Sequence, residues 1–599
     1  MRSSLLLLAA VLSLLTSACG RQAPPGDAEQ LFDGFFREWI AFNPDDASQL
    51  GLTPQMGYAF DKGDLTDGSP KYIDRCYRHF RKYSKWMKGL DRSALTESQQ
   101  LDAQILEWYL DQMLAGEKFK HHGYVINPGY GVHNTLVTLL TEYHGIGNAQ
   151  DVRDYLSRLE KIPRRLAQVR GRLALQESKG IRPPAYIIDF ADSAMAQFIR
   201  PPAAENILYT SLAARLQGLP DLDSAARAQY LRQAEEAIDR KIYPAYLEYL
   251  AEVRRARAKA DNREGVWKLP DGDAYYRWCL KYHTTTPMTP EEVHEMGLRE
   301  VAQLQGQIRA LVAGMGMDSS GAFQGMINRY WELLSQRSDA AKFGYPEAEA
   351  SKAQVIRDYQ AIIDRTWARL PQAFALVPRT RVYAQPVPKF KEATAGTYYE
   401  PPSLDGGRPG IFYVNQGWMP NKPGMPSLTF HEAIPGHHFQ IAIQQERRDN
   451  RIFKALLFFT GFGEGWALYA EALAKEQGWF DDDHQRIANL MSLLFRAVRL
   501  VVDTGIHAKR WDGQQAYQYF EANSGWASRG EIARYVMWPG QACAYYVGMA
   551  RIIDLRERAR RELGPRFDLG GFHRLATENG TVPLELLEKM VEGHIAKNK

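Results

Sequence analysis

Cysteine is scarce in this chain. Cys19, Cys76, Cys279 and Cys543 are the four among 599 residues, and no two form a C-x-x-C pair. That spacing argues against a thiolate metal cluster. Charge of one sign is equally lacking: 74 basic against 70 acidic residues leave a net +4, too little on so long a chain for a nucleic-acid partner. Beyond about residue 29 there is no Ser/Gly-rich linker, no low-complexity stretch and no clear repeat. What remains is 45% hydrophobic and 24% charged, the balance of a globular chain with ample material for a large core.

The first 18 residues are of another kind. Arg2 precedes an apolar run from Leu5 to Leu15, followed by Thr16-Ser17-Ala18. The run is too short to span a bilayer and reads as a signal peptide. The segment Leu15-Thr16-Ser17-Ala18-Cys19-Gly20 resembles a bacterial lipobox, although Thr16 stands where the usual Leu would be. Cys19 is therefore expected to carry lipid, with residues 19–28 as a tether. The expected location is the bacterial cell envelope, facing the periplasm or on the outer membrane, with the lipid as the sole membrane contact. Plain secretion is the alternative. With Cys19 lipidated, the other three thiols are expected to be free and buried, with at most one disulfide among them.

Helical periodicity dominates the rest. Residues 149–178, 223–260, 290–315 and 350–370 carry apolar positions at three- and four-residue spacing. Thr289-Pro290-Glu291-Glu292 marks a helix start, with an N-cap Thr, Pro at the first position and Glu at the third. Residues 380–387, 397–399 and 411–415 are β-branched and aromatic between Pro and Gly and read as short strands. The expected fold is mainly α with a small β-sheet just before the main motif. Residues 29–599 are expected to form a single helical domain, with lobes of about 29–375 and 376–599.

That motif is His431-Glu432-Ala433-Ile434-Pro435-Gly436-His437-His438. Zinc hydrolases place two His at i and i+4 on one helical face, with a Glu after the first as general base. Here the next His is six residues on. At about 100° per residue, His437 would lie about 120° away from His431. His438 returns to the same face but about 10.5 Å further along the axis, too far for two ligands about 2.0–2.1 Å from one zinc. Pro435 offers a way out, because its ring clashes with the carbonyl four residues back, that of His431. With Gly436 beside it, the helix must bulge or restart, bringing a later His back. A third ligand follows in Gly461-Phe462-Gly463-Glu464-Gly465, read as a glycine turn opening a helix with Glu464 in its first turn. Two His and one Glu leave a fourth position open, the catalytic zinc arrangement, with Glu432 placed to take a proton from water.

Four segments together carry a family resemblance. They are His-Glu-Ala-x-Pro-Gly-His-His, Gly-Glu-Gly-Trp-Ala-Leu-Tyr-Ala-Glu from Gly463, Arg499-Leu-Val-Val-Asp503-Thr-Gly-Ile-His507, and Pro539-Gly-Gln541-Ala-Cys-Ala-Tyr545. This set resembles the family known as domain of unknown function 885, whose members include bacterial lipoproteins and proposed metallopeptidases; the likeness runs from about residue 30 to the end. Tyr282-His283-Thr284-Thr285-Thr286 also fits it. That family in turn resembles the thimet-oligopeptidase and Taq-carboxypeptidase branch of the gluzincins, with His-Glu-x-x-His, a Glu some 25 residues later and a late Tyr. The resemblance implies a helical metallopeptidase fold with a deep cleft. It makes His437 the second ligand, Ile434-Pro435 a two-residue insertion, and Glu464, 27 residues beyond His437, the third. His438 stays an alternate ligand.

Other candidates surround this set. Tyr545 can donate its hydroxyl to a developing oxyanion. Asp503 and His507, at i and i+4, can orient a ligand His or contact substrate, with a structural salt bridge as the competing reading. Glu471, two turns beyond Glu464, is too far for the same metal and reads as a support for the ligands or a solvated charge. Arg534 can take a substrate carboxylate, and Tyr398 can lie on a strand edge along which a peptide is laid. His294-Glu295 begins like a zinc signature but continues to Leu298 and is set aside as a helix surface. The expected function is a zinc-dependent hydrolase, foremost a peptidase. The alternatives are a non-catalytic binding lipoprotein on a peptidase fold, or a zinc hydrolase of another amide or ester.

Overall fold

A computed structural model describes residues 27–345, 348–389, 392, 396–447 and 450–599. The signal segment and Cys19 lie outside the described residues. The tether drawn through residue 28 ends earlier than expected: Asp27 caps a helix Ala28–Phe42, its side chain accepting from the Gln30 N–H at 2.8 Å.

Helix accounts for 69% of the chain and strand for 2%, so the fold is mainly α. Helices α1 (Ala149–Ser178) and α2 (Tyr243–Arg257) belong to an N-terminal group. In α1, Val152, Tyr155, Leu159, Ile162, Leu166, Val169 and Leu173 alternate three- and four-residue steps and are all buried, the stripe that packs a helix on a core. Helices α3 (Gly272–Thr284), α4 (Pro290–Gly314) and α5 (Ala348–Arg369) follow. The capping box expected at Thr289 is present: the Glu292 N–H donates to Thr289 Oγ1 at 3.2 Å, and the Thr289 N–H to Glu292 Oε2 at 2.8 Å. Strands β1 (Val382–Pro386), β2 (Tyr398–Glu400) and β3 (Gly410–Val414) form the small sheet in the order β1-β3-β2. β1 runs parallel and β2 antiparallel to β3, so β2 is an edge strand.

The chain then enters α6 (Met425–Glu432), α7 (His437–Glu446), α8 (Thr460–Glu476), α9 (Asp483–His507), α10 (Arg529–Met537) and α11 (Ala544–Leu563). Helix α9 lies along α4, and α8 along α11. Both pairs approach closely at glycine. A Cβ on Gly297 would meet Val501 Cγ2 at 2.7 Å, and one on Gly465 would meet Gly548 Cα at 2.5 Å.

The core does not divide near residue 375. One buried cluster unites residues 28–110 with residues 280–595 and takes in Ile187, and a second, over residues 65–256, is formed chiefly by helices such as α1 and α2. The smaller lobe is thus chiefly a stretch of about residues 125–260 set between two parts of the larger one, with a third, small cluster of Phe119, Tyr124, Ile181 and residues 266–279 beside it. No helix among the described residues is long and apolar enough to cross a membrane. Cys76, Cys279 and Cys543 are free and buried.

Candidate metal centre

Helix α6 stops at Glu432 and α7 starts at His437, so the helix ends and restarts at Pro435-Gly436. The intervening loop includes a cis Ile434–Pro435 peptide, and the Trp466 indole N–H from α8 donates to the Pro435 carbonyl at 2.9 Å. Gly436 passes so close to the end of α6 that a Cβ there would sit 1.9 Å from the His431 carbonyl oxygen; no larger residue fits. This break turns the His437 ring back to that of His431, their centroids 4.9 Å apart and planes at 85°.

Glu464 comes to the same point from α8. Its Oε2 lies 3.2 Å from His437 Nε2 and 3.6 Å from His431 Nε2. One ligand atom from each of the three residues falls within 4.8 Å of the others, the only group of its kind found among the described residues. Glu464 Oε2 is buried and accepts no well-formed hydrogen bond. Two imidazole nitrogens and an unsatisfied carboxylate oxygen are a donor set that suits a divalent cation such as zinc.

Behind the cluster stands Glu471, two turns further along α8. The His431 Nδ1–H donates to its Oε1 at 2.9 Å. Because a carboxylate only accepts, this bond turns Nε2 toward the cluster. Ser427 and Ser492 donate to the other carboxylate oxygen, Ser492 at 2.7 Å, and Asn489 donates to Ser427 at 3.0 Å. Burial opposes charge on His431, but Glu464 and Glu471 outweigh it and push its pKa up to about 9. Burial likewise works against the Glu464 charge, yet the two imidazoles hold its carboxyl well below the usual range. Glu432 moves the other way: burial raises it, Glu464 adds to this, and the imidazoles only partly offset it. A carboxylate made more basic beside the cluster is suited to accept a proton.

Tyr545 projects from the first turn of α11. Its ring lies nearly parallel to His431, at 11° with centroids 6.2 Å apart, a placement that depends on the Gly465–Gly548 approach of α8 and α11. Arg534 Nη2 donates to the Tyr545 oxygen at 2.9 Å and to Gln541 Oε1 at 2.8 Å. The hydroxyl oxygen is thus an acceptor toward Arg534, leaving its O–H to donate elsewhere. Arg499 lies over the Tyr545 ring, 4.9 Å from its centroid.

The profile of the family described as "Bacterial protein of unknown function (DUF885)" matches residues 44–591. The chain belongs to this family. Two solved structures share its architecture. One is a "putative lipoprotein" from Colwellia psychrerythraea, 25% identical, with a TM-score of 0.90 over 95% of this chain and 100% of that one. The other is a "putative lipoprotein of unknown function" from Shewanella oneidensis, 17% identical, with a TM-score of 0.70 over the same shares. No curated protein matches.

Several of the DUF885 motif residues do other work than their spacing implied. His438 is not turned to the cluster: its Nε2 donates to the Thr380 carbonyl at 2.8 Å and its Nδ1 accepts from Tyr399 Oη at 2.9 Å. It ties α7 to the sheet, and burial lowers its pKa to about 4. His507 is no catalytic group, since its Nδ1 accepts from the Val266 N–H at 3.2 Å and its Nε2 donates to the Tyr535 carbonyl at 3.0 Å. Asp503 neither orients a ligand His nor pairs with His507; it accepts from Tyr276 Oη at 2.6 Å and from the Gly540 N–H at 3.0 Å. Arg534, expected at a substrate carboxylate, is bound to Tyr545. Tyr398 lies on the edge strand β2, packed on Tyr413 with centroids 5.1 Å apart. His294 is buried, its Nδ1 2.7 Å from Thr504 Oγ1.

The glycine-rich run before Glu464 is not a turn. Helix α8 already begins at Thr460, which places Glu464 past the first turn, and the glycines admit neighbours. A Cβ on Gly461 would meet the Thr284 carbonyl oxygen at 2.3 Å, and one on Gly548 the Gly461 carbonyl oxygen at 1.9 Å. Ser427, Asn489 and Ser492 escaped the sequence reading, and Arg499 stood in a motif without a role, because ordinary polar residues in helices carry no spacing signal of their own.

Proposed function

We propose that this protein is a zinc-dependent peptidase. The carrying observation is the convergence of His431 Nε2, His437 Nε2 and Glu464 Oε2. His431, His437 and Glu464 would hold the ion, and Glu471 would keep His431 in the right tautomer. Bound zinc supplies Lewis acidity, polarising a carbonyl and acidifying water. Glu432 then acts as general base, taking a proton from the attacking water and passing it to the leaving amine. Tyr545 donates its hydroxyl hydrogen to the carbonyl oxygen as negative charge develops there, while Arg534 holds the phenol oxygen in place. The likeness of the motif to the gluzincin pattern supports the same reading, as does the completeness of ligands and base. The names of the Colwellia and Shewanella proteins, with the lipobox-like segment at Cys19, support an exported, lipid-anchored protein of the cell envelope.

The test is metal analysis of the purified chain combined with a peptide-library digest. One zinc per chain and cleavage lost in Glu432→Gln are expected. A chain that takes up zinc but cleaves esters or non-peptide amides in place of peptides would move the assignment to another hydrolase. A chain that neither holds zinc nor cleaves would overturn it.

A further inference from the structure

The pair Tyr130–Trp538 lies outside the machinery described so far. Tyr130 sits on a turn of the smaller lobe. Asn127 Oδ1 accepts from the Gly129 and Tyr130 N–H groups at 3.0 and 2.9 Å, and the Gly131 N–H donates to the Asn127 carbonyl at 2.8 Å. The backbone that carries the ring is thus fixed. The ring meets Trp538 edge to face, with centroids 5.0 Å apart and planes at 64°. Trp538 ends α10, one turn beyond Arg534, and its other neighbour is the His283 ring at 5.8 Å. The contact therefore joins the smaller lobe to the segment that holds Tyr545.

Tyr130 is 64% exposed, the highest value among the large apolar side chains of the described residues. Its open ring reaches the metal centre through three contacts: it meets Trp538, Trp538 follows Arg534 by one turn, and Arg534 holds Tyr545, whose ring lies nearly parallel to that of His431. A rigidly held aromatic ring offers large contact area with little entropy left to lose on binding, and substrate pockets are lined mostly by such surfaces around a few polar groups.

We propose that Tyr130 and Trp538 form the subsite that receives an aromatic or large aliphatic side chain of the substrate residue next to the bond cleaved at the His431–His437–Glu464 centre. This rests on the peptidase reading and adds a substrate class to it. The subsite is built from both lobes, so specificity depends on their contact as well as on the metal-bearing helices.

The test uses the zinc-loaded full chain and two hydroxamates, acetohydroxamate and 3-phenylpropionohydroxamate, whose affinities are measured by calorimetry. The phenyl compound is expected to bind at least about tenfold tighter to the wild type, the effect of covering one aromatic side chain. Tyr130→Ala is expected to bring the two affinities within about twofold at unchanged zinc content, and Tyr130→Phe to keep the preference because the ring face remains. An affinity ratio unchanged by Tyr130→Ala, with zinc bound, would overturn this inference and leave the peptidase reading standing. A chain that binds neither zinc nor acetohydroxamate would remove the metal centre, and this subsite with it. In a library digest, the wild type is expected to favour Phe, Tyr or Leu at one position flanking the cut and Tyr130→Ala to lose that preference.

Discussion

Glu471 holds His431 by the ring nitrogen that faces away from the ligand cluster, with Nδ1–H donating to Oε1 at 2.9 Å and neither side chain more than 2% exposed. The carboxylate is satisfied on its far side by Ser427 and Ser492. The His431 ring is therefore oriented from the interior of the larger lobe, by the same helix that supplies Glu464. Arg496 Nη2, 3.9 Å from Glu471 Oε1, adds a cation that keeps the Glu471 carboxyl ionised against burial.

Removing that support is expected to weaken the metal site without removing a ligand. Glu471→Ala should lower zinc affinity about 10- to 100-fold, the usual cost of losing an outer partner of a ligand His. A competitive chelator titration reads this directly. Glu464→Ala, which deletes a proposed ligand, should cost more. Equal zinc affinity for wild type and Glu471→Ala would show that His431 needs no orienting partner.

Glu432→Gln separates the proposed base from the proposed ligands. The amide is nearly isosteric and leaves His431, His437 and Glu464 intact, so zinc content should match the wild type while turnover falls at least about 100-fold. Metal analysis and initial rates on one preparation give both numbers. Turnover near wild type in zinc-loaded Glu432→Gln would assign the proton transfer to another group.

The adjacent histidines are expected to part company. His437→Ala should abolish tight zinc binding, because its Nε2 lies 3.2 Å from Glu464 Oε2. His438→Ala should keep zinc but lower stability by about 1–3 kcal/mol, the cost of leaving the buried Thr380 carbonyl and Tyr399 hydroxyl without their partner. Zinc titration and denaturant unfolding distinguish the two. Loss of zinc in His438→Ala with retention in His437→Ala would reverse the assignment.

Much of this was legible in the sequence, and the limits have physical causes. His431, Glu432 and Glu464 stood out because the chemistry needs those residue types and little else explains them together. The break at Pro435-Gly436 followed from the steric rule that Pro displaces the carbonyl four residues back, that of His431. The choice between His437 and His438 did not follow, because each spacing fails in an ideal helix and only the path of the loop selects one. Glu471 was read as a support for the ligands or a solvated charge; its distance from Glu464, two turns along α8, did not choose between them, and the buried bond from the other ring nitrogen of His431 does. Asp503 and His507 share a helical face, yet the face meets α3 and the α10 backbone, so their partners are residues distant in sequence. The smaller lobe left no trace because its boundaries lie in short turns without a compositional shift.

Asp503 gives the fold a pH dependence whose sign follows from its surroundings. Burial, only partly offset by Tyr276, the Gly540 N–H and Cys543, pushes its pKa up to about 7 from an ordinary 3.8. The folded state thus holds a proton that the unfolded state releases. Between about pH 4 and pH 7 the native chain binds more protons than the unfolded one, so this group makes stability fall as pH rises, by up to about 1.4 kcal/mol per pH unit. Below that window its contribution is fully retained. Asp503→Asn keeps the shape, with Oδ1 accepting from Tyr276 and Gly540 and the amide turned toward the Cys543 sulfur, but it cannot ionise. Denaturant unfolding at intervals from pH 4.5 to pH 7.5 is expected to show a shallower decline for Asp503→Asn than for the wild type, with the two curves closest at the acid end. Parallel curves across the range would mean that Asp503 ionises in the fold as readily as in water, and that its bonds to Tyr276 and Gly540 offset its burial in full.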